Sequence, residues 1–109
     1  MDRFVAEQNI AHFEHLLTTD IPADRRATLL KLLLLEETKL GQYSEQHVAR
    51  IDRNIERIEE LIARQQDRVT ELNGKGHAAK SAQDFLDNLA ETRVLYQQHR
   101  ASILSDLVR

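Results

Sequence analysis

Residues 48–72 read VARIDRNIERIEELIARQQDRVTEL, with apolar side chains at Val48, Ile51, Ile55, Ile58, Ile62, Val69 and Leu72, alternately three and four apart and interrupted only at Gln65. A repeat of about 3.5 residues holds one narrow stripe on one side of an α-helix, the pattern of a coiled-coil seam. Such a stripe needs a partner helix to cover it. The Asn73-Gly74-Lys75-Gly76 stretch closes the helix, with Gly74 expected in the left-handed conformation of a helix end. A second amphipathic segment follows, in which Ala82, Phe85, Leu86, Leu89, Tyr96, Ile103, Leu104 and Leu107 share a face. Two helices joined by so short a turn run antiparallel, giving a long coiled-coil hairpin over about 45–73 and 78–107.

The hairpin fixes a register in which facing residues have numbers summing to about 151. Val69 then meets Ala82, Gln65 lies near Phe85 and Leu86, Ile62 meets Leu89, Ile55 meets Tyr96 and Val48 meets Ile103. Two flanking ion pairs follow, Glu59 with Arg93 and Asp52 with Arg100. They account for the arginines that interrupt the apolar side of the last helix, and they serve specificity more than stability, since exposed pairs contribute little. Leu61, Val94 and Leu95 lie to the side of this seam and need another cover, for which the N-terminal helices are the nearest candidate and a second copy of the chain the next.

The N-terminal part, about 2–40, reads as a pair of helices. Phe4, Ala6, Ile10, Phe13, Leu16 and Leu17 fall on one side of a first helix that ends at Thr18-Thr19-Asp20. Pro22 fits the first turn of a second helix, where its missing N–H is not needed, with Asp20 or Ile21 as cap and Asp24 near the positive end of the helix dipole. That helix carries Leu29, Leu30, Leu32, Leu33, Leu34 and Leu35, interrupted only by Lys31. Leucines at about 100° per residue point to nearly every side, which requires more than one neighbour. Two readings stand: a core helix covered within the chain, or a subunit interface. Extending the heptads backwards from Val48 fails at Glu37, Gly41 and Ser44, so a break falls at Gly41–Ser44, with Ser44 as cap.

Composition agrees with a single all-α domain over 1–109, a bundle of about four helices. The chain has 109 residues, three Gly, one Pro and no Cys, which favours helix and removes thiolate metal sites and disulfides. A formal charge of −3 without a basic stripe excludes a nucleic-acid binder, which needs clustered cations on phosphates. The leucine run is far shorter than the roughly 18 to 20 apolar residues of a membrane span. Residues 1–10 lack the apolar stretch of a secretory signal, so the expected location is the cytoplasm.

Chemistry-bearing motifs are sparse. His12 and His15 are spaced to share a metal but supply only half of a tetrahedral set, and no Glu-x-x-His pair of the di-iron type occurs. His47, His77 and His99 are scattered. The charges Arg50, Arg53, Glu56, Arg57, Glu60, Arg64, Asp67, Arg68 and Glu71 interleave in sign, as on a solvated helix face braced by i,i+4 pairs. There is no Gly-x-Ser-x-Gly turn and no phosphate loop. No catalytic residue, metal site or cofactor is therefore expected.

The stretch NIAHFEHLLTTDIPADRRATLLKLLLLEETKL, Asn9 to Leu40, resembles a helix-turn-helix segment of small bacterial proteins of unassigned function. HVARIDRNIERIEELIARQQ from His47, the Gly76-His77 pair and YQQHRASIL, Tyr96 to Leu104, are similar to a short bacterial helical-hairpin family that is itself uncharacterised. The resemblance implies a bacterial cytosolic origin and the hairpin fold, and brings no catalytic role. The function expected is a non-enzymatic helical interaction or oligomerisation protein, a small regulator or adaptor. It would dock a second copy or a helical partner through Leu29, Leu32, Leu35, Leu61, Val94 and Leu95. The alternative is a bundle holding a small ligand or metal in its core, with His12, His15 and His99 as polar contacts.

Overall fold

The computed structural model describes residues 2–40, 45–76 and 79–107. Four helices follow in order, α1 (Asp2–Leu17), α2 (Ala23–Lys39), α3 (Glu45–Gly74) and α4 (Lys80–Leu107), with no strand among the described residues. The architecture is an all-α four-helix bundle made of two hairpins, α1–α2 and α3–α4. With 30 residues, α3 is about 45 Å long at 1.5 Å per residue, and it sets the 51 Å long dimension of the molecule.

The α3–α4 hairpin packs in the register that the seam demands. Ile51, Ile58, Ile62, Leu89, Tyr96 and Ile103 are buried in one cluster, with Val48, Ile55, Phe85 and Leu86 packed against it. Arg100 Nε donates to Asp52 Oδ1 at 2.5 Å. Gln65, the one break in the stripe, turns its side-chain amide to the Ala82 carbonyl at 2.8 Å, so the polar group in the seam has a partner. Glu59 and Arg93, expected as a second flanking pair, form no ion pair; Glu59 is exposed while Arg93 is half-buried.

The seam also has a second edge. Asn54 and Leu61, each one residue before a stripe position, are buried too, because α1 and α2 lie on that side of α3. Leu61 takes its cover from the N-terminal pair and belongs to the core, so it is not part of a docking surface. The hub of the bundle is α2, which packs on each of the other three helices. Its Leu30 and Leu33 are fully buried and Leu34 nearly so.

Local chemistry sets the helix ends, with corrections to the sequence reading. Pro22 is the N-cap of α2, in extended conformation, and not a first-turn residue; its carbonyl accepts from Arg26 N at 2.9 Å. The last carbonyls of α1 are satisfied in turn: His15 O by the Thr18 hydroxyl at 2.6 Å, Leu17 O by Arg26 Nη1 at 2.9 Å, and the following Thr19 O by Arg26 Nη2 at 2.9 Å. A cation from α2 thus closes the negative end of α1. Gly74 remains helical, and the left-handed residue is Gly76, at φ 72°. The expected break at Gly41–Ser44 and the Ser44 cap lie outside the described residues, although α2 and α3 are separate helices.

Candidate functional site

Two features of the bundle are candidates for function: a polar layer through its middle and an apolar groove on its outside. The polar layer joins all four helices. Glu14 on α1 accepts from Asn54 Nδ2 at 3.2 Å and from Arg57 Nη1 at 2.9 Å, and the same Arg57 nitrogen donates to Asn54 Oδ1 at 2.7 Å. On α4 the Tyr96 hydroxyl donates to the Leu30 carbonyl of α2. Nearer the C-terminal end of α2, Arg50 Nε donates to Glu37 Oε1. Asn54, Tyr96 and Glu37 are fully buried. A buried acid is tolerated only with a charged or hydrogen-bonded partner, and here each acid has a guanidinium.

The electrostatics of this layer bear on what it can do. Burial, reinforced by the negative charges of Glu37 and Glu14, pushes the Tyr96 phenol far above its ordinary range. Tyr96 therefore keeps its proton and acts as a hydrogen-bond donor, not as a base. Burial lowers the His99 imidazole, Glu37 opposing that shift and His47 adding to it. Glu37 Oε2 has no hydrogen-bond partner among the described residues. The arrangement is that of a clamp between the hairpins: every named donor is directed at an internal acceptor.

Sequence reasoning missed this layer. The interleaved charges place Arg50 and Arg57 on the solvated face, yet their side chains are only 21% and 18% exposed. The available signal was Asn54, which lies one heptad before Leu61 and so marks a second stripe beside the seam.

The groove lies between α2 and α4, which run parallel: Ala27 and Phe85 line one end, and further along Lys31 Nζ donates to Asn88 Oδ1 at 3.0 Å. Its volume is about 460 Å³. Leu32 and Leu35 line it and are 41% and 54% exposed. Leu95, two helical turns beyond Asn88 and so on the same side of α4, is 48% exposed. Of the other expected surface residues, Val94 is exposed on the outward side of α4, Leu29 is half-buried against the core, and Leu61 is internal. Sequence reasoning missed Phe85 as a groove residue, having placed it only in the seam.

His12 and His15 are exposed on α1, and among the described residues no three His, Asp or Glu side chains converge as a metal site would require. No helix is long and apolar enough, among the described residues, to cross a membrane. What fold and site define together is a four-helix bundle with a buried polar clamp and an open leucine-lined groove. Set against known protein families, characterised proteins and solved structures, the chain has no match.

Proposed function

We propose that this chain is a non-enzymatic helical interaction protein whose α2–α4 groove receives a helix, from a second copy or from another protein. The observation that carries this reading is the exposure of Leu32 and Leu35 in the groove, with Leu95 exposed one heptad beyond Asn88 on the same side of α4. Burying a leucine contributes about 1.5 to 3 kcal/mol, and leaving Leu32 and Leu35 in water forgoes that gain unless something covers them. Helix-in-groove recognition reads apolar anchors three, four and seven residues apart, and a groove between two parallel helices has the shape for them.

The test is site-specific photo-crosslinking. A benzophenone amino acid replacing Leu35 is expected to yield one dominant adduct whose partner peptide, identified by mass spectrometry, is helical and apolar-faced. The adduct should disappear on adding Leu32→Lys and Leu95→Lys. The same probe at Gln97, exposed on another side of α4, is the control. Equal labelling from both positions, or an adduct indifferent to the lysines, would defeat the proposal.

A further inference from the structure

On another side of the bundle, between α2 and α3, Arg26, Arg57, Glu60, Leu61 and Arg64 line a cleft of about 230 Å³. We infer that this cleft is a binding site for a small oxyanion of the phosphate class, held by the three guanidinium groups. The argument begins with how little of their hydrogen-bonding capacity is used inside the protein. A guanidinium carries five N–H donors. Arg26 gives two bonds, both to neutral carbonyls, Leu17 O and Thr19 O, so no carboxylate among the described residues pairs with it. Arg57 gives two from Nη1, to Glu14 and Asn54, which leaves Nε and Nη2. Arg64 makes no hydrogen bond or ion pair among the described residues, although Glu60 precedes it by one turn and Asp67 follows at three.

Charge and shape point the same way. Glu14 is engaged by Arg57, and Glu60, which also lines the cleft, is exposed to solvent, so three cations against two anions leave the cleft positive within a chain of formal charge −3. Arg26 and Arg57 are held in place by those internal bonds and need no reordering to receive a ligand, which removes part of the entropic cost of binding. Planar guanidinium forks match the paired oxygens of phosphate, and charge-assisted bonds of this kind are the strong ones. Leu61, buried beneath, limits water on one side, and the volume suits a phosphate group, not a large metabolite.

The probe is inorganic phosphate at constant ionic strength, read by thermal shift and by the arginine Nε–Hε resonances. Phosphate is expected to raise the melting temperature in proportion to RT ln(1 + [L]/Kd) and to move the resonances of Arg26, Arg57 and Arg64. Arg64→Gln, at an exposed position, should weaken binding by about tenfold or more, one lost charge-assisted bond. Arg68→Gln, outside the cleft, should leave it unchanged. Equal shifts from sodium chloride, an Arg64→Gln variant that binds as well as the parent, or binding confined to anionic vesicles would each overturn the inference.

Discussion

The Glu37–Arg50 pair allows a sharp test of how the hairpins are held together. Glu37 is completely shielded from solvent while the Arg50 side chain is 21% exposed, so the two partners should respond unequally to removal. Arg50→Leu strands a buried carboxylate, and breaking a buried pair from one side costs about 3 to 5 kcal/mol. The partial exposure of Arg50 places the expected loss near the lower figure. Glu37→Leu leaves an arginine whose stem can swing its head to water, and the expected cost is under about 1 kcal/mol. The double variant Glu37→Leu/Arg50→Leu replaces the pair by apolar volume and should approach the parent. For a chain of this size a loss of about 3 kcal/mol lowers the melting temperature by roughly 12 °C and, at about 2 kcal/mol per molar, moves the urea midpoint by about 1.5 M. Urea unfolding of all four proteins, followed by circular dichroism, completes the cycle. If Glu37→Leu costs as much as Arg50→Leu, or if the double variant is no better than Arg50→Leu, the pair is not a desolvated clamp and the reasoning fails.

Three further outcomes are expected. Tyr96→Phe removes the hydroxyl donated to Leu30 O and should cost about 1 kcal/mol in the same unfolding assay, while keeping the ring in the core. His99, whose ordinary value of 6.5 is lowered by burial, binds protons more readily unfolded than folded. Stability should therefore decline as pH falls below about 6.5, and His99→Gln should shrink the difference between melting temperatures at pH 7.5 and 5.5. Gly74→Ala, at a helical position with nothing within 4 Å of the added carbon, should stabilise by up to about 1 kcal/mol, whereas Gly76→Ala, at φ +72°, should destabilise by about as much.

The hairpin was legible because the seam imposes its own arithmetic: once Val48 to Leu72 repeats at 3.5 residues, one turn and one antiparallel register satisfy it, and Asp52 and Arg100 meet as that register requires. The left-handed glycine was misplaced by two residues, since the helix continues through Gly74 and local sequence does not tell one turn glycine from the other. The polar layer was hidden for a different reason. Glu14 reaches Arg57 across 43 residues and Glu37 reaches Arg50 across 13, and in a helix rich in arginine and glutamate the charges themselves do not show which ones another helix will cover; only Asn54, in line with Leu61, marks that side. The same limit applies to the leucines of α2. Six leucines around a helix announce burial on several sides, but only the placement of α1, α3 and α4 decides that Leu32 and Leu35 are left outside.

The trio Glu14, Asn54 and Arg57 has a consequence for how the two hairpins find each other. Apolar surfaces alone would tolerate sliding, because leucine against isoleucine is much the same contact one turn up or down. A slip of one turn, about 5.4 Å, would carry Asn54 away from Glu14 while it remained under α1 and α2, with no water to replace the lost partner. The trio is thus a notch in an otherwise smooth rail: it contributes little to how tightly the halves adhere, and it leaves them a single position in which to stop.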